Sequence, residues 1–174
     1  MKILILMTSL LLTSATSKYQ YSGLKLPNLV LEGEDGGHLD DKKWSLYEMV
    51  GKKVLVIFYV DPDEKDKNED ISERLNAKNY PDSKIQYIGI INYKASWAPD
   101  FAISLALKKK QKKYPQTLYL KDYGKLGVKR WNVADDENNV LVLDQKGHVV
   151  FHKFGQVNQE EGDKLLSLIE KLIK

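Results

Sequence analysis

The 174-residue chain carries 27 lysine and arginine residues against 24 aspartate and glutamate residues, a net charge of +3, with 43% hydrophobic and 29% charged residues. That balance fits one soluble domain and excludes a disordered chain and a multi-span membrane protein. The absence of cysteine excludes disulfides, thiolate nucleophiles, zinc–thiolate sites, iron–sulfur clusters and cysteine lipidation.

Residues 1–17 read MKILILMTSLLLTSATS: Lys2, an apolar run from Ile3 to Leu12, then Ala15 and Ser17 at the small-residue positions of a cut after Ser17. The run is too short to span hydrocarbon. The segment therefore reads as a secretory signal peptide, and residues 18–174 as a single exported, periplasmic domain that does not span the membrane.

Along that domain, LPNLVLEGEDGGHLDDKKW reads as two short strands around a Gly36-Gly37 turn, an N-terminal β-hairpin extension followed by a brief helical SLYEM segment. VLVIFYV at 54–60 is continuous, apolar and β-branched, as expected of a strand covered on both faces. Asp61 follows as a helix cap, with Pro62 in the first turn and Glu64 three residues after the cap, so the strand is expected to run straight into a helix. KIQYIGIIN (84–92), APDFAISLALKKKQKK (98–113) and TLYL (117–120) continue as strand, helix and strand, and GKLGVKRW as a short helix. Two alternating strands then flank an Asp144 to Gly147 turn within 138–155, and Asn158 opens an amphipathic helix with Leu165, Leu168, Ile169 and Leu172 on one face. Parallel βαβ units closed by an antiparallel hairpin and a last helix predict an α/β thioredoxin-like fold, a central mixed sheet flanked by helices.

Particular residues carry a closer resemblance. WSLYEMVGKKVLVIFYV is similar to the stretch before the active site in the TlpA and peroxiredoxin branch of that fold. Trp44, Val50, Gly51, Lys52, KDKN at 65–68, Tyr114-Pro115, Asp122, Trp131, Asn132 and VLVLDQKGHVV together resemble the YtfJ family of exported thioredoxin-fold proteins, whose members have no assigned reaction. The resemblance runs from about Leu26 to the C-terminus. It implies that the loop holding Cys-x-x-Cys in redox relatives corresponds here to Asp63 and Asp66, and that the proline those relatives hold in cis corresponds to Asn138. Thiol redox chemistry is then out of reach, and the former active-site face, around Tyr59, Asp61, Asp63, Asp66, Lys67, Trp97 and Asn138, is left to bind a protein or peptide.

Other constellations compete with that reading. Asp61, Asp63, Glu64, Asp66, Glu69 and Asp70 place six acids in ten residues, but Lys65 and Asp66 stand where a calcium loop needs a ligand and a glycine. Acids at a helix N-terminus are favoured by the dipole alone. An ion-binding protein or cysteine-independent enzyme using Asp61, Asp63 and Asp66 is the alternative function. His148 and His152 lie four apart on a strand and His38 stands alone, without a third metal ligand nearby in sequence. Trp44, Trp97 and Trp131 read first as core packing. Between Lys108 and Arg130 there are nine basic residues and one acid, Asp122. Lys108, Lys109, Lys110, Lys112 and Lys113 read as a solvated helix end or as a contact for an anionic surface. No motif implies a cofactor, metal or nucleic acid, and the partner expected is an envelope protein or peptide or an anionic surface.

Overall fold

The computed structural model describes Tyr21 and residues 23–174; the leader expectation for residues 1–17 lies outside them. The strands are β1 (Val30–Leu31), β2 (Gly36–His38), β3 (Trp44–Ser45), β4 (Val54–Val60), β5 (Ile85–Asn92), β6 (Thr117–Asp122), β7 (Asn138–Leu143) and β8 (Val149–Phe154). The α-helices are α1 (Glu69–Ala77), α2 (Asp100–Lys113), α3 (Leu126–Trp131) and α4 (Gln159–Leu172). Six strands form one mixed sheet in the order β2-β6-β5-β4-β7-β8. β4 runs parallel to β5 and β5 to β6, whereas β7, β8 and β2 are antiparallel to their neighbours.

β4 is buried on both sides because its two residue sets serve different layers. Leu55, Ile57 and Tyr59 join Ile88, Ile90, Leu120, Leu141 and Trp131 on one face, closed by Leu29, Leu31 and Trp44 of the N-terminal segment. Val54 and Val56 pack with Ile71 and Leu75 of α1 and with Leu165 and Ile169 of α4 on the other. Farther along that second face, Val60, Ile91 and Tyr119 meet Ile103 and Leu107 of α2. Period-two alternation along one strand thus sorts side chains between two layers of cover.

The N-terminal segment departs from the expected hairpin. β1 and β3 do pair antiparallel, but Gly36 and Gly37 form no turn between them: they are strand residues that add β2 to the edge of β6. Their φ angles are +124° and +136°, and a Cβ on Gly36 would lie 1.9 Å from the Lys121 carbonyl oxygen. Only glycine combines that backbone with that approach. The stretch after β4 also differs. Asp61 Oδ1 accepts from Asp63 N at 2.9 Å, capping a 3-10 turn over Pro62–Glu64, and α1 starts only at Glu69. Glu64 forms no reciprocal cap and pairs instead with Lys67. In α4 the capping box of Asn158 with Glu161 is complete, and Leu166 rather than Leu168 joins Leu165 and Ile169 in burial.

One buried carboxylate joins the layers. Asp122, at the end of β6, is fully buried. Its Oδ2 accepts from the Tyr59 hydroxyl and from Gly127 N, both at 2.9 Å, and its Oδ1 from Gly124 N at 2.9 Å and Leu126 N at 3.0 Å. Four donors satisfy the charge and cap the first turn of α3. A Cβ on Gly127 would fall 2.0 Å from the Tyr59 ring. Asp122→Ala orphans all four donors in the interior and is expected to cost about 4 kcal/mol in urea unfolding. Tyr59→Phe removes one of the four bonds and is expected to cost about 1–2 kcal/mol.

Candidate functional site

A mainly apolar opening lies over the second face of the sheet, between α1 and α2. It encloses about 310 Å³. Val60, Ile91 and Tyr119 form its floor, Leu75 and Ile103 its walls, and Asp63 and Asn138 stand at the end where β4 leaves the sheet. The opening has a local cause. Ala98, Ala102 and Ala106 recur every fourth residue and line it, so α2 turns small side chains toward the sheet beside Ile103 and Leu107. Gly89 adds to it: a Cβ there would meet the Tyr119 ring at 3.0 Å.

Around this cleft the expected binding residues divide. Tyr59 stands on the opposite face of the sheet, 1% exposed, with its hydroxyl committed to Asp122; burial and that carboxylate push its pKa far up. It offers nothing to a partner. Asp61 is buried as the cap of the 3-10 turn. Burial raises its pKa, with Asp63, Asp136 and Glu64 acting in the same direction against the bond from Asp63 N. Lys67 is half-buried and bridges Glu64 and Glu137, each at 2.9 Å. Asp63 remains outward and accepts from the Ser96 hydroxyl at 3.0 Å, while Asp66 is exposed beside Lys65.

Asn138 is buried and opens β7 opposite Val60. No cis peptide bond occurs among the described residues. Its Nδ2 donates to the Glu64 carbonyl at 3.3 Å, and its Oδ1 has no hydrogen-bond partner among the described residues. This unmatched acceptor sits at the acidic end of the cleft.

The KDKN signature is explained by long-range bonds. Asn68 Nδ2 donates to the carbonyls of Asn138 and Gly155, both at 3.1 Å, and its Oδ1 accepts from Val157 N at 2.8 Å. One buried amide thus ties the loop after β4 to the start of β7 and the end of β8. Asn139 does comparable work, donating to the carbonyls of Tyr59 and Ala134 and accepting from Ala134 N.

The metal-like patterns do not converge. Among the described residues no group of three or more histidines, aspartates or glutamates is placed to hold an ion. Asp61 turns inward to its cap while Asp63 and Asp66 face solvent. His148 lies outside β8 and meets Asp144 at 3.3 Å, whereas His152 packs against Tyr21 with ring centroids 4.9 Å apart. Trp44 and Trp131 are core residues, the latter donating from Nε1 to the Pro27 carbonyl at 2.8 Å, but Trp97 is 89% exposed. Of the five lysines at the end of α2, Lys110 lines the cleft and Lys113 lies over the Tyr114 ring; Lys108, Lys109 and Lys112 project outward. The alanine spacing was the one sequence signal for the cleft, and it is invisible until the opposing strand is known to carry Gly89.

Sheet order and flanking helices define the class: a thioredoxin-like α/β protein whose sequence contains no cysteine. A putative thiol:disulfide interchange protein DsbE from Chlorobium tepidum matches it with a TM-score of 0.60 at 15% identity, over 88% of this chain and 98% of that one. The reduced 2-Cys peroxiredoxin of Plasmodium vivax matches with a TM-score of 0.58 at 18% identity, over 87% and 95%. Over residues 28–172 the chain matches, and belongs to, the family described as "Bacterial protein of unknown function (YtfJ_HI0045)". It is 27% identical to "Uncharacterized protein YtfJ" of Escherichia coli K12 over 176 residues, 97% of this chain and 96% of that protein.

The raised pKa of Asp61 sets a pH test. A carboxyl whose folded pKa lies above its unfolded value favours the fold below the unfolded pKa, near 4, and loses that contribution as pH rises through the folded value. Asparagine caps equally well without the charge. Asp61→Asn is therefore expected to be at least as stable as the parent chain at pH 7 in chemical denaturation, with the difference closing below about pH 4. A variant clearly less stable at pH 7 contradicts a purely capping carboxylate.

Proposed function

We propose that this chain is an exported, non-redox binding module of the bacterial cell envelope that holds an apolar peptide segment of a partner protein in the cleft between α1 and α2. The carrying observation is the cleft itself: about 310 Å³ of mainly apolar space, at the lower end of the ~300–1,000 Å³ of small-ligand sites, ending beside the redox-equivalent loop. Asn138 lines that end of the cleft and adds a carboxamide to its otherwise apolar wall. Asp63 at the rim adds a carboxylate that draws basic residues flanking an apolar anchor. A thiol mechanism is unavailable to a chain with no cysteine, so binding is the use of the site that the residues present support.

Filling the cleft tests this. Ala102→Trp combined with Ala106→Phe is expected to abolish binding of the apolar dye 1-anilinonaphthalene-8-sulfonate and capture of partner from envelope extract, while Asp66→Lys, away from the cleft, keeps both. Dye binding and capture that survive in the filled variant, with the melting temperature unchanged, exclude the cleft as the site. A calcium or manganese titration is expected to leave the melting temperature of the parent chain in place, because an ion bound specifically to the native state must raise it.

Export is proposed on the Lys2, Ile3 to Leu12 and Ala15-Thr16-Ser17 pattern. The intact mass of protein recovered from the envelope fraction is expected to correspond to a chain starting at Lys18. Recovery from the cytosol with Met1 attached excludes it.

A further inference from the structure

Helix α2 is apolar on two sides. Ile103 and Leu107 are buried against the sheet, yet Phe101 is 76% exposed and Leu105 is 55% exposed on the outward side. Trp97, just before Pro99 and the helix, is 89% exposed. Single exposed apolar side chains are ordinary; two large ones on the outward side of a helix already anchored by its inner face, with a third exposed just before it, are not. Phe101 and Leu105 lie four residues apart, and the same helical stripe continues through Lys108, Lys109 and Lys112, all exposed. No acidic residue occurs between Phe101 and Lys121.

We propose that this outward stripe of α2, with Trp97, Phe101 and Leu105 followed by Lys108, Lys109 and Lys112, docks the domain on an anionic lipid bilayer. The chemistry is that of an interfacial helix: aromatic and aliphatic side chains enter the boundary between headgroups and acyl chains, and ammonium groups on flexible stems reach the anionic headgroups. The stripe is a convex ridge on one helix, a shape that suits a deformable planar layer. Its charges are all of one sign, so a parallel second copy would set lysine against lysine. Among the described residues no helix is long and apolar enough to cross a membrane, so this attachment is peripheral. It is independent of what fills the cleft, although α2 forms one wall of that cleft.

Trp97 supplies its own reporter, because Trp44 and Trp131 are each only 2% exposed. The chain from Lys18 onward, which contains every element described above, is mixed with vesicles of phosphatidylcholine alone or with one quarter phosphatidylglycerol. Cosedimentation with the anionic vesicles, a blue shift of tryptophan emission and weakening of both by salt are expected. Lys108→Gln with Lys109→Gln and Lys112→Gln is expected to lower the partition about 100-fold. Phe101→Ser with Leu105→Ser is expected to remove most of the blue shift, with melting unchanged in both variants. Absence of a blue shift with anionic vesicles overturns the proposal. So does a dimer in sedimentation velocity that Phe101→Ser with Leu105→Ser dissociates, which assigns the ridge to a second copy, and so does an acidic protein that occupies the ridge while vesicles do not.

Discussion

A buried carboxylate ties the central strand of the sheet to the start of α3. Asp122 is reached by a hydroxyl from the central strand and by three backbone N–H groups of the loop and helix that follow it, so its charge is matched wholly inside the protein. Removing a charge from water costs several kcal/mol unless such partners are in place, which makes the arrangement all-or-none. The consequence reaches both neighbours: Tyr59 is fixed as a core residue, and position 127 has no room for a side chain. Trp131 at the other end of α3 is then delivered to the Pro27 carbonyl, and the left-handed Asn132 ends the helix there.

The loop that follows β4 has an internal logic of its own. Asp61, Lys67 and Asn68 spend their polar groups on anchoring the loop, and Asn68 bonds three backbone groups in two distant segments at once. Asp63 and Asp66 remain outward, and Asp63 stands at the end of an apolar cleft. Of the segment's acids, Asp61 and Glu64 serve the architecture, while the cleft beside them owes its space to small residues on a neighbouring helix.

Much of the fold was legible in the sequence because it is written in local periodicity. The apolar run at 54–60, the alternating pair around Asp144 to Gly147 and the Asn158 cap each report an element from within a dozen residues. Gly36-Gly37 was misread for the same reason: two glycines in succession have the local signature of a turn, and only the carbonyl of Lys121, more than eighty residues away, makes them a strand. Tyr59, Asp61 and Asn138 were assigned to a binding face on the family resemblance. Their burial depends on partners that come from distant segments, and no spacing rule contains those partners. Trp97 carried two expectations, a place on the binding face and core packing, and its exposure departs from the second, since an aromatic beside a helix ordinarily signals packing.

The glycine pair has one more effect, on the chain's behaviour toward other chains. An open sheet edge is a row of free donors and acceptors that any extended polypeptide can continue, and β6 would present such an edge beside Leu118 and Leu120. Three residues of the chain's own N-terminal segment occupy it, and two of them hold φ angles that ordinary residues avoid. A misdirected strand from another molecule, with side chains in place, cannot copy that close approach. The edge strand that results is only three residues long, and its fit depends on having no side chains, which leaves an incoming chain a short template to extend.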